Sequence, residues 1–305
     1  MSPPQRVLPS LIPSRSRRRG PPCGRMSEVE IDITVHANQL GTGTFAADWE
    51  EWHRNVEARL GDPHGFLAIT SLHWLAQAPQ SYPDAPGRWW TGQDGPTVRL
   101  GDAEELVMEG RRVRDVHMFG IIPERGSIMV VWGDAVLEVA KRGGHDILRP
   151  RHPDNPLRLA FRGTPAYAPH PRWRVAGHFG PFEQPRPTTV GAAVEGLEHV
   201  YHAVGSITFE LDGHELSLTA FPGHKPGGLL VLFTDETSGT TTYSDVRSLS
   251  VDPPESDGSV SVDFNRAINL PCAYTDLATC PLPPRENRMP VAIEAGEKIP
   301  YERAG

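Results

Sequence analysis

The chain has 305 residues, of which 38% are apolar and 22% charged, an ordinary balance for a globular chain that can bury a sizeable core. Its formal net charge of −8 argues against nucleic acid as a partner of the folded part, because an acidic surface repels phosphate backbones. No run of eighteen apolar residues occurs, which excludes a spanning helix and gives no call for a membrane partner.

Residues 1–26 differ from everything after them. Arg6, Arg15, Arg17, Arg18, Arg19 and Arg25 fall there without an acidic residue, broken by Pro3, Pro4, Pro9, Pro13, Pro21 and Pro22. The apolar run Val7 to Ile12 is interrupted by Pro9 and is too short for a signal-peptide core. Nothing aromatic or amphipathic accompanies the arginines to suggest a binding arm. The stretch reads as a disordered basic extension, or as translation begun upstream of a true start at Met26. Without it, 24 basic residues face 38 acidic ones, a net of −14. Residues 27–305 read as one domain.

Gly41-Thr-Gly-Thr-Phe-Ala46 matches a dinucleotide-binding string, but the β-α-β context is not evident, so it reads as a glycine-rich lead-in to a helix. That helix is well marked. Asp48 and Glu51 resemble a capping box, Trp49, Trp52, Val56 and Leu60 share one face, and Gly61 and Pro63 follow as stop signals.

Beyond the helix the pattern changes to period two. Ile128 to Trp132 and Ala135 to Val139, joined by Gly133-Asp134, read as a hairpin; Ser206 to Leu211 and His214 to Leu218, joined by Asp212-Gly213, read as another. Leu229 to Phe233, Arg247 to Val251 and Val260 to Phe264 add short strands, and the continuous apolar run of the first suggests cover on both faces. With 30 glycines and 31 prolines scattered along the chain, the expected fold is mostly β, an antiparallel barrel or sandwich, with one N-terminal helix packed on it and short helical turns.

No nucleophile elbow and no Walker sequence occurs. Of thirteen histidines, His199 and His202 look like a ligand pair, but an offset of three in a strand points them to opposite faces. His73, His117 and His145 stand apart, so no metal is expected and no cofactor is called for. Cys23, Cys272 and Cys280 do not make a secreted disulfide framework, and the compartment reads as cytoplasmic. Oligomeric state is not set by any of these features.

The stretch Asp263 to Pro290 packs charged, amide, thiol and proline groups into one irregular segment. Such a loop either lies exposed or satisfies itself in a buried network. Asn265, Arg266, Asn269 and Arg288 offer convergent donors, with Asp263 and Glu286 placed to orient guanidinium groups. One reading is a pocket floor, where Arg266 pairs a small anionic molecule and Asn265 and Asn269 orient it. The other is a strap, in which Arg266 and Arg288 bridge Asp263 and Glu286 while prolines fix the chain. An enzyme using the same cavity would take Asp263 or Cys272 as base or nucleophile, although buried cysteines are inert by default. A third class is an interaction domain with Trp89, Trp90 and Trp132 exposed.

The string from Asp263 to Lys298 resembles the signature end of the DUF1684 family. Trp52-His-Arg54, Gly65 to Leu75, and Leu229 to Leu249 with Asp235 to Gly239 and Thr242-Tyr243 fit the same family, over roughly Phe45 to Lys298. The resemblance implies a fold and a place for a site, and carries no activity. It adds Tyr243, Asp235 and Thr237 as the opposite wall of the pocket. Ile268 and Leu270 depart from the family pattern, which often has Tyr or Phe at the first position and Pro at the second. An aromatic ring lost from a ligand contact would alter what this member binds.

Overall fold

The computed structural model describes residues 45–303; the basic stretch and most of the Gly41 to Ala46 string lie outside the described residues. The first element is the helix α1 (Phe45–Leu60). Trp52 and Val56 bury against Ile268, with Trp49 packed beside them. Trp49 Nε1 donates to the Asn265 carbonyl at 2.6 Å. The period of the apolar residues is therefore read correctly, but the start is not. Helical geometry already begins at Phe45, so Asp48 sits inside the first turn, where a carboxylate complements the helix dipole instead of capping it.

The strands β1 (His73–Trp74), β2 (Gln80–Tyr82), β3 (Ala85–Gly92), β4 (Gly95–Arg99), β5 (Leu106–Met108), β6 (Arg111–Val113) and β7 (Val116–Met118) come first. They are followed by β8 (Ser127–Trp132), β9 (Ala135–Arg142) and β10 (His145–Arg151). Two antiparallel sheets result, a four-stranded one in the order β2-β3-β4-β7 and a six-stranded one in the order β1-β10-β9-β8-β5-β6. They pack through Trp89, Val98 and Leu100 on one side and Leu106, Val130, Leu137, Val139 and Leu148 on the other. Trp89 is thus fully buried, and Trp132 packs against the same core. Trp90, next to Trp89 and so on the opposite face of β3, is half-buried under Arg99, so the three tryptophans expected of an interaction domain do not form one exposed patch.

Gly95 opens β4 at a φ of +87°, and a Cβ there would lie 2.0 Å from the Gly120 carbonyl oxygen. Gly95→Ala is expected to cost about 1–3 kcal/mol in urea unfolding, since neither the dihedral nor the space admits a side chain.

After the short helix α2 (Pro156–Ala160), the strands β11 (Arg174–Gly191), β12 (Glu198–Leu211), β13 (His214–Pro222), β14 (Leu229–Phe233), β15 (Arg247–Val251), β16 (Ser259–Asp263) and β17 (Ile268–Asn269) build the third sheet. Its order is β16-β11-β12-β13-β14-β15-β17. The β12–β13 turn has Asp212 at φ 51° and Gly213 at φ 80°, the left-handed pair that a type I′ hairpin turn requires. Leu211 then faces His214, and Ile207, Phe209, Leu216 and Leu218 share the buried face. That face also takes up Met289, Val291, Ile293 and Ala295 from the C-terminal segment. None of the three strand orders closes on itself among the described residues, so the architecture is of sandwich type and not a barrel. No helix of the described residues is long and apolar enough to cross a membrane.

Candidate functional site

The residues singled out in the sequence fall into separate places. Asp263 and Asn265 belong to a knot beneath α1. Asn265 Nδ2 donates to Asp263 Oδ1 at 2.7 Å and to the His170 carbonyl at 3.1 Å, while its Oδ1 accepts from His170 N at 2.9 Å. Asp263 Oδ2 is taken by Arg174 at 2.9 Å. Arg266 lies 3.8 Å from the same oxygen and over the Trp52 ring. Asn269 donates from its backbone to Glu297 at 2.7 Å and from Nδ2 to the Lys298 carbonyl at 2.8 Å. These amides hold chain to chain, as a strap does.

Asp235 is buried in a second knot. It accepts from Thr237 Oγ1 at 2.6 Å, from Ile293 N at 3.1 Å and from Arg247 Nη2 at 2.6 Å. Tyr243 donates to Asp245 at 2.9 Å. The expected Arg288–Glu286 bridge is not made: Arg288 is exposed, and Glu286 accepts from Thr219 instead. Asp235 and Arg288 do share a hollow of about 620 Å³. Cys272 is buried beside Cys280, whose Sγ accepts from the Cys272 backbone at 3.3 Å. Contact with Cys280 and burial both push the Cys272 thiol far above its ordinary range, so it is not the thiolate that a nucleophile needs.

A different cavity, of about 320 Å³, lies between the six-stranded and seven-stranded sheets. Its cationic lining comes from Arg142 on β9, Arg149 on β10 and Arg125 in the turn before β8. His199 and Tyr201 on β12 also face it. The strand period explains the cluster. Glu138 and Arg142 share one face of β9, and Arg149 stands directly opposite Glu138 across the ladder, with Arg151 two residues further on the same face.

Glu138 is fully buried. It accepts from Arg149 Nη2 at 2.7 Å and Nε at 3.1 Å, from Arg142 Nη2 at 3.0 Å, and from Arg151 Nη2. Burial alone would raise its carboxyl, but Arg149, Arg151 and Arg142 outweigh that and hold it far below the usual carboxylate range. Among the described residues, the remaining η nitrogen of Arg149 has no hydrogen-bond partner.

Arg125 has no carboxylate partner among the described residues and lies over the Tyr201 ring, 4.4 Å from its centroid. Its φ is +66°, a left-handed conformation that costs a side chain about 1–2 kcal/mol and that tends to persist at functional positions. Glu124 accepts from the backbone N–H groups of Gly143 and Gly144 at 2.7 and 2.8 Å. Four guanidinium groups therefore meet two carboxylates, Glu138 and Glu124, which leaves two positive charges in excess.

His199 adds no charge to this excess. Burial pushes its pKa down, more than the Thr279 carbonyl and Glu124 raise it. Its Nε2 lies 2.7 Å from the Thr279 carbonyl oxygen and so carries the proton. His202 points to the opposite, exposed face, as a three-residue offset in a strand requires.

The wall facing the arginines is apolar, from Leu230 and Leu232 on β14 and from Leu270, Pro271 and Ala278 in the C-terminal segment. Of the two departures from the family pattern, Leu270 lines this cavity, while Ile268 packs under α1. Sequence reading missed the cationic wall. Its signal was present in Glu138 to Arg142, the Gly143-Gly144 turn and Arg149-Pro-Arg151, once the second strand of that hairpin is drawn.

The family model described as a protein of unknown function (DUF1684) matches residues 159–298. An uncharacterised protein of Haloarcula marismortui, whose structure was determined in solution by NMR, is 33% identical over 46% of this chain and 78% of that one, with a TM-score of 0.40. Comparison with the curated proteins finds no match. The chain belongs to the DUF1684 family. The matched stretch supplies the apolar wall, His199 and Tyr201, whereas Arg125, Arg142 and Arg149 precede it.

Proposed function

We propose that the protein binds a small anionic molecule in the cavity between the six- and seven-stranded sheets, with Arg125 and Arg149 holding the anion. One observation carries this reading: among the described residues, a guanidinium group without a carboxylate partner and a guanidinium nitrogen without a hydrogen bond line the same cavity, within a cluster where four guanidinium groups face two carboxylates. Arg125 is solvent-exposed while Arg149 is buried, so an anion lying between them can enter from solvent and take charge-assisted hydrogen bonds from both guanidinium groups. Because both halves of the chain build the cavity, it also supports reading residues 27–305 as one domain.

The test is thermal unfolding of the full chain in inorganic phosphate against chloride at equal ionic strength. At a hundred times its dissociation constant phosphate adds roughly 2.7 kcal/mol to the folded state, a rise of several degrees. Arg125→Gly separates function from fold. Relief of the left-handed arginine is offset in part by glycine's entropy, so the midpoint without phosphate is expected to hold or rise slightly while the phosphate effect disappears. An unchanged phosphate effect in Arg125→Gly contradicts the proposal.

A further inference from the structure

The two walls of the cavity differ in chemistry. Arg142 and Arg149 stand on the six-stranded sheet with Arg125 beside them; Leu230 and Leu232 stand on the seven-stranded sheet, continued by Leu270, Pro271 and Ala278. Leu232, Leu270, Ala278 and Cys280 also belong to one buried apolar cluster, against which Leu230 packs. An inorganic anion would engage the first wall and leave the second wetted. A molecule with an anionic head and an apolar body engages both, and removes apolar surface from water on each side of the contact.

Charge narrows the head group. The excess of two positive charges matches a dianion, which a phosphate monoester is above its second ionisation near pH 6, better than the single charge of a carboxylate. Three planar donors set around one space also suit the several acceptor oxygens of a phosphoryl group. Size narrows the body. About 320 Å³ stands at the lower end of the range for ligand sites, enough for one ring or a short branched chain and too little for a dinucleotide or a long acyl chain.

Resting on the anion reading above, we infer that the ligand is a phosphate monoester with a compact apolar body, its phosphoryl group between Arg125 and Arg149 and its body against Leu230, Leu232 and Leu270.

Titration calorimetry of the full chain at pH 7.5 with three probes tests this: inorganic phosphate, phenyl phosphate and benzoate. Phenyl phosphate is expected to bind at least about tenfold more tightly than either of the others, a difference of about 1.4 kcal/mol or more. In Leu230→Asn the advantage over inorganic phosphate is expected to shrink to about threefold or less. Unchanged affinity of that variant for inorganic phosphate shows that its fold and cationic wall are intact. Equal affinity of the wild-type chain for phenyl phosphate and inorganic phosphate overturns the apolar body and leaves the anion site standing. Benzoate binding as tightly as phenyl phosphate overturns the dianionic head. Failure of all three to bind removes the anion site itself, and this inference with it.

Discussion

Glu138→Gln is expected to destabilise the protein by about 3–5 kcal/mol, the cost of removing one partner from a buried ion cluster. The carboxylate is fully buried and meets three guanidinium groups, of which Arg151 is fully buried and Arg149 nearly so. Glutamine keeps the shape and one acceptor, but leaves three charges facing one another in a medium that screens them poorly. Because a whole domain is stable by only about 5–15 kcal/mol, urea unfolding reads this as a large drop in midpoint with little change in slope.

The pH dependence has a definite sign. The folded-state pKa of Glu138 lies below the ordinary carboxylate value of 4.5, so its contribution is fully present above that value. It is lost as the pH falls from there towards the depressed folded value. The wild-type chain should therefore lose stability progressively below about pH 4.5, and Glu138→Gln should show a shallower acid dependence over that window. Equal stability of variant and wild type at neutral pH would mean that Glu138 does not hold the arginines.

Arg247→Met is the second large effect, again expected at about 3–5 kcal/mol. Arg247 is fully buried on β15 and donates to Asp235 Oδ2 at 2.6 Å, to the Ile293 carbonyl at 3.2 Å, and to the Ala295 carbonyl. One guanidinium thus ties a strand to a buried carboxylate and to the C-terminal segment that fills the core beside Val291 and Ile293. Methionine retains the stem and removes the donors, so Asp235 is left buried without its counter-charge. Amide exchange at Ile293, whose N–H is held by Asp235, should accelerate more than exchange within β12. Arg247→Lys should recover little, because a single ammonium cannot span three acceptors arranged as a fork. Full stability in Arg247→Lys would show that charge, and not this geometry, holds the segment.

Local signals made part of this architecture legible. Alternation and the Asp212-Gly213 dipeptide locate β12 and β13 because turn dihedrals and side-chain period are properties of neighbouring residues. The spacing of Trp49, Trp52 and Val56 locates the buried face of α1 for the same reason. The density of Asp263, Asn265, Asn269 and Arg288 marked a segment rich in hydrogen-bonding groups, but density does not say whether such groups face a ligand or each other. Asp263, Asn265 and Asn269 join chain segments instead of meeting around one space. Glu138, Arg142, Arg149 and Arg151 stand in one readable hairpin pattern, but their meeting as a cavity wall depends on the register of Arg149 against Glu138 and on two sheets brought face to face, which no local signal carries. Arg125 gave no signal, since its left-handed backbone follows from the turn that carries it, and nothing in Glu124-Arg-Gly126 announces a partner across the cavity.

Anomalous diffraction from crystals of the full chain soaked in selenate locates directly an anion lying between Arg125 and Arg149. A strong peak in the cavity, within hydrogen-bonding reach of the free η nitrogen of Arg149 and of the Arg125 guanidinium, and lost in Arg125→Gly, is the expected result. Selenate bound only at surface arginines, with the cavity empty, would contradict it.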